Sequence, residues 1–145
     1  MAQDTPFDLN DFLPYLLNRA AEATSRDFQK HYKARYGMLR TEWRVLFHLG
    51  RYGQMTAKDI TQRADIHKTK VSRAVAALET KRFLKRSPVA EDRRHERLTL
   101  TPAGRAAYDT LLAEARAFDA DLASRFSAQD MATLRKCLIR IAGLR

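Results

Sequence analysis

One cysteine, Cys137, stands in 145 residues. An internal disulfide framework is therefore excluded, and a reducing cytosol is the expected setting. Glycine and proline number only five and four, too few for the many tight turns of an all-β fold. No apolar run approaches the ~20 residues of a membrane span. The opening MAQDTPFDLNDF lacks the basic and apolar segments of a signal peptide, so a cytoplasmic protein is expected. Gly-rich phosphate loops, paired catalytic carboxylates and nucleophile–base motifs are all missing. His31, His48, His67 and His95 show no paired metal-ligand spacing. No enzymatic activity, metal or cofactor is expected.

What is present is helix-forming and basic. Hydrophobic residues make up 45% of the chain, enough for a globular core and too many for a disordered chain. The net charge is +10, and its distribution matters more than its size. Residues 51–105 hold 14 Lys/Arg against 6 Asp/Glu, whereas 1–50 hold 7 against 6 and 106–145 hold 6 against 5. The excess is a patch in the middle third, and a polyanion is its natural partner.

Apolar residues at three- and four-residue spacing predict a long helix from about Asp8 to Tyr36, stopped by Gly37. A second helix is expected over Thr41–Gly50 with Thr41 as N-cap. Arg51–Gln54 reads as a turn and Met55 as a very short strand. Thr56 then caps a helix through Ala64, and Asp65–Ile66 turns the chain into a further helix ending near Thr80. Two strands are expected at Phe83–Ser87 and Glu96–Leu100, joined by a polar loop from Pro88 to Glu96. Thr101-Pro102 starts a helix to about Arg125, and Ser127 with Asp130 starts a last one.

The helix HKTKVSRAVAALET, wound at 100° per residue, separates two faces. Val71, Ala74, Val75 and Leu78 fall inward. Thr69, Arg73 and Ala76 fall outward, flanked by Lys70 and Ser72. The outward face carries donors and one small residue, which lets the helix axis approach a DNA groove closely. Thr, Ser and Arg can contact bases or phosphates there, and Lys68 adds to the pull of the helix N-terminus on phosphate. The hairpin that follows is basic, with Lys85, Arg86, Arg93, Arg94 and Arg97. A tip with adjacent arginines suits the minor groove. Asp92 is read as a buttress that directs Arg94 through a carboxylate–guanidinium bond.

With those residues in view, the chain resembles the MarR family of winged helix-turn-helix transcription regulators. The family's wing signature is Asp-x-Arg followed, after five residues, by Leu-Thr. It stands here as Asp92-Arg93-Arg94 and Leu100-Thr101, with TPAG matching after it. KTKVSRAVAALE resembles the recognition helix and TEWRVL the second helix. The similarity covers about residues 10–142. It implies a mainly α fold with a small β-hairpin, in one domain: a winged helix-turn-helix lobe at 38–101 and a helical dimerisation region at 7–37 and 102–143. It implies a homodimer that represses by occupying a palindromic double-stranded DNA operator. Thr69, Lys70, Ser72 and Arg73 take the DNA-facing positions of the recognition helix, and Asp92 and Arg94 those of the wing; Lys68, Arg86 and Arg93 join them from the reading of charge. One position departs from the pattern: Arg82 stands where the family usually has Gly.

The resemblance also implies release from DNA by a small, often aromatic, anionic ligand. Tyr15 and Arg19, four apart on the first helix, are candidates for one pocket wall; Trp43, Arg44 and Phe47 are candidates for another. Trp43 and Phe47 equally suit plain core, and Arg19 a surface charge. Cys137 reads as inert core on the apolar side of the last helix. A constitutive architectural DNA-binding protein without ligand response is the alternative. The outer helices, charge-balanced and apolar on one face, either pair across a dimer interface or fold back on their own core; the first helix's length favours pairing.

Overall fold

A computed structural model describes residues 5–144, the side chains of Asp92, Arg93 and Arg94 excepted. Its elements are a 3-10 turn at Leu9–Asp11, then α1 (Leu13–Tyr36), α2 (Arg40–Tyr52), β1 (Met55–Thr56), α3 (Ala57–Ala64) and α4 (Lys68–Thr80). They continue with β2 (Leu84–Val89), β3 (Asp92–Leu100), α5 (Pro102–Ala123) and α6 (Ala128–Ala142). The fold is mainly helical with one antiparallel sheet of order β1-β3-β2. Two compact units divide within α5, after Tyr108.

The first unit owns most of the core. Tyr32 of α1, Val45, Leu46 and Leu49 of α2, Ile60 of α3 and Leu98 of β3 are almost completely buried. Val71, Ala74, Val75 and Leu78 bury the inner face of α4 against them, and each buried Val or Leu side chain contributes roughly 1.5–3 kcal/mol. In the second unit, α6 starts at Ser127, whose hydroxyl accepts from the Asp130 N–H at 3.0 Å. Arg135 of α6 pairs with Asp119 of α5 at 2.8 Å.

Several boundaries differ from the sequence reading, each for a local reason. The first long helix begins at Leu13 and not at Asp8. Pro14 sits in its first turn, where its ring bars helix on the N-terminal side. Asp8 caps the short 3-10 turn instead, accepting from the Asn10 N–H at 2.9 Å. α2 begins at Arg40, because the Glu42 carboxylate accepts the Leu39 N–H at 3.2 Å; Thr41 is inside the helix. The loop expected from Pro88 to Glu96 is mostly strand. β2 and β3 pair from Leu84↔Leu100 to Pro88↔Glu96, shift register, and pair again at Val89↔Asp92. Pro88 is compatible with this because β2 is an edge strand. Cys137, expected in the core, is exposed.

Arg82 adopts φ +64°, the left-handed conformation that favours Gly. It ends α4 through two bonds: its own N–H to the Glu79 carbonyl and the Phe83 N–H to the Leu78 carbonyl, both 2.9 Å. The Thr101 hydroxyl holds the Arg82 carbonyl at 2.6 Å, and the Thr101 N–H reaches the Phe83 carbonyl at 3.0 Å. Tertiary bonds thus retain a conformation that costs a side chain roughly 1 kcal/mol. Arg82→Gly is expected to raise stability by up to ~1 kcal/mol, read as a higher urea midpoint at unchanged slope. A lowered midpoint would show that the Arg side chain itself contributes more than its backbone costs.

Candidate nucleic-acid interface

The interface is built on three short elements whose ends are closely specified. α3 starts with a reciprocal cap: the Thr56 hydroxyl accepts from the Asp59 N–H at 3.1 Å and Asp59 accepts from the Thr56 N–H at 3.0 Å. It stops at Asp65, whose φ is +53°, and Arg44 of α2 donates to the Ala64 carbonyl at 3.0 Å. α4 then opens on His67, whose Nδ1 accepts the Thr69 N–H at 3.1 Å. At its other end, Lys81 meets Glu42 of α2 at 3.1 Å. Glu42 is 5% exposed, so this carboxylate is the buried acid that fastens α2 to the end of α4. α2 therefore grips both α3 and α4 through side chains on either side of Trp43.

That frame leaves Lys68, Thr69, Lys70, Ser72, Arg73 and Ala76 exposed on α4. The wing stands beside them. Arg86 of β2, a candidate DNA contact, pairs with Glu79 of α4 through Nε–Oε1 at 3.2 Å, which ties the wing to the helix. Lys85 and Arg97 are exposed. The roles assigned to the side chains of Asp92, Arg93 and Arg94 lie outside the described residues.

A cleft of about 600 Å³ separates helix and wing. Lys58, Thr61 and Gln62 line it from α3, Lys68 and Ser72 from α4, and Arg86, His95, Glu96 and Leu98 from the wing. The sequence reading missed the α3 residues and His95. Lys58, Thr61 and Gln62 do share one helical face by their spacing, and that was the available signal. A neighbouring feature was also missed: the Arg63 guanidinium lies over the Tyr52 ring at 3.9 Å, and Arg51 at 5.2 Å.

The candidate ligand residues separate into two groups. Trp43 and Phe47 meet edge to face at 4.5 Å. They continue into a cluster with Phe28 and Tyr32 of α1 and with Tyr108 of α5, at centroid distances of 5.3, 5.7 and 5.1 Å. The Tyr32 hydroxyl is buried beside Arg40 and Trp43, and burial pushes this phenol above its ordinary range, against the opposing charge of Arg40. Tyr15 and Arg19 bond to each other at 2.9 Å. Arg44 spends its guanidinium on the end of α3. Nearby, Arg40 hydrogen-bonds Glu22 at 3.2 Å and holds that carboxyl below the usual carboxylate range.

Comparison with known proteins points to one family. The MarR family profile matches residues 36–95, which span α2 through most of the wing. Over that span the chain is similar to the MarR family. An HTH-type transcriptional regulator of Bacillus subtilis, YwoH, is 24% identical over 122 residues, covering 84% of this chain and 88% of that one. The MarR family transcriptional regulator SPO1453 of Silicibacter pomeroyi is 27% identical with a TM-score of 0.78, covering 94% of this chain and 99% of that one. BpsR of Bordetella bronchiseptica, whose DNA binding is regulated by 6-hydroxynicotinic acid, has a TM-score of 0.84 at 20% identity, with 97% and 100% covered. YwoH and SPO1453 are transcriptional regulators, and this chain is similar to both. Among its described residues no helix is long and apolar enough to cross a membrane, and no group of three or more His, Cys, Asp or Glu could hold a metal ion.

Proposed function

We propose that the protein is a cytoplasmic homodimeric repressor that occupies a palindromic DNA operator and leaves it when a small aromatic anion binds. The observation that carries the DNA part is the division of α4. Its apolar face is buried in the lobe, while Lys68, Thr69, Lys70, Ser72 and Arg73 stand exposed beside a basic wing. In this reading α4 enters the major groove and Arg94, buttressed by Asp92, reaches the minor groove. Arg93 and Arg86 add phosphate contacts.

Exposed apolar residues in each unit support dimerisation through 7–37 and 102–143. Leu9, Phe12, Leu13 and Leu16 are exposed near the start of the chain, and Leu134, Leu138, Ile139 and Ile141 on α6. Exposed apolar patches of this kind mark association sites. The ligand part is supported by Trp43, Phe47 and the buried Tyr32 hydroxyl, and by the regulation of BpsR's DNA binding by 6-hydroxynicotinic acid. Tyr15 and Arg19 remain candidates for a second wall, with Arg44 acting on α3.

Operator footprinting with and without aromatic carboxylic acids tests the proposal. Expected are one palindromic site with half-sites about one helical turn apart, and an acid that stabilises the free protein while weakening its DNA affinity. Equal affinity for every duplex, untouched by any acid, would favour a constitutive architectural protein instead.

A further inference from the structure

The cleft between α3, α4 and the wing holds a titratable group that the DNA reading leaves without a role. His95 lines it, half-buried, together with Lys58 of α3, Lys68 of α4 and Arg86 of β2. Ser72 offers a hydroxyl, and Glu96 is the one carboxylate among the lining residues. The lining thus draws cations from three separate elements around a space beside the exposed face of α4. Arg86 is partly committed, because Glu79 holds its Nε at 3.2 Å. A tetrahedral anion fits this donor set, and a duplex lying along α4 would bring its backbone there.

We propose that the cleft seats a backbone phosphate of duplex DNA and that His95 takes up a proton as it does so. This rests on the DNA-binding reading and adds to it a proton-linked phosphate contact. Imidazole is the ordinary side chain that changes charge between about pH 5 and 8. A phosphate beside it favours the protonated ring, by charge and by the second N–H it then offers. The phosphate also neutralises Lys58, Lys68 and Arg86 of the same lining, which adds to the shift towards protonation on binding. The sign follows: affinity rises as pH falls through the range where the bound protein holds the proton and the free protein does not.

His67 is the competing titratable group on this face. Its Nδ1 accepts the Thr69 N–H, so protonation removes the cap of α4 and should not strengthen binding. His67→Asn keeps a capping acceptor without the titration, which separates the two histidines.

The test uses a mixed-sequence duplex, because phosphate contacts are independent of sequence, with anisotropy read at fixed ionic strength. The wild-type protein should bind about fivefold more tightly at about pH 6 than at about pH 8, the size expected of one proton partly taken up. His67→Asn should keep that dependence and His95→Gln should lose it. In NMR titrations of the wild-type protein, the His95 midpoint should move up when the duplex is added, and less with inorganic phosphate at matched ionic strength. A pH-independent affinity, or a dependence that survives His95→Gln, overturns the proposal. An equal shift with inorganic phosphate overturns the DNA assignment and makes the cleft a free-anion site. Absence of any complex at either pH would instead sink the DNA-binding reading beneath it.

Discussion

Gly104→Ala should cost this protein about 3 kcal/mol of stability, near the upper range for overpacking at a close-packed site. A Cβ at Gly104 would lie 1.9 Å from the Phe83 carbonyl oxygen and 2.8 Å from its carbon. Both are backbone atoms, so no side-chain rotation relieves the clash. Nor can the backbone shift freely. Phe83 accepts the Thr101 N–H at 3.0 Å, the Thr101 hydroxyl bonds the Arg82 carbonyl at 2.6 Å, and Gly104 donates to that same hydroxyl at 3.0 Å. The start of α5 and the entry to the wing are therefore one bonded unit. Chemical denaturation at fixed protein concentration reads the effect. Ala106→Gly, on an exposed position of α5, supplies the control and should cost only about 1 kcal/mol, the helix-propensity difference. A Gly104→Ala loss no larger than the control would mean that the Phe83 carbonyl moves aside at little cost.

This glycine shows where sequence reading stopped. TPAG was visible as a helix start, because Thr and Pro each act locally at an N-terminus. The need for Gly at its fourth position was not, since it arises from a carbonyl 21 residues away, at Phe83. The same division holds elsewhere. The two faces of α4 were legible because Val71, Ala74, Val75 and Leu78 repeat at the helical period and are all buried. The true length of the wing strands was not, because Lys85 to Pro88 are exposed throughout and leave no alternation to read. Their pairing comes from the backbone ladder alone. The role of Glu42 was not legible either, because its partner Lys81 lies 39 positions on. Cys137 failed for the opposite reason. The apolar pattern of α6 is real, but Leu134, Leu138 and Ile141 are exposed, so apolar periodicity there did not mean burial in this chain. At the interface, the sequence assigned Arg86 to DNA without its bond to Glu79, and passed over the α3 face that forms one wall of the cleft.

Arg73→Ala should weaken operator binding by ~1–3 kcal/mol, about five- to hundredfold in affinity, and relax specificity at one base pair. Arg73 lies on the exposed side of α4 with Thr69 one turn before it, and exposed Ala76 follows within a turn. The small Ala side chain leaves room for the helix axis to come close to a groove floor, which a long guanidinium can then read. Arg73→Lys separates the two ways this residue could act. Lysine keeps the charge and loses the planar fork that meets two guanine acceptors at once. If the proposed base contact holds, Arg73→Lys should resemble Arg73→Ala in specificity, and most of the loss should survive a change of salt. Lys70→Ala, on the flank of the same face, should behave differently: uniform weakening across sequences and a salt slope shallower by about one. An Arg73→Lys variant that matches the wild type on the operator would move Arg73 to the phosphate class. Base discrimination by this helix would then rest on Thr69 and Ser72, whose hydroxyls contact several bases and fix none of them alone.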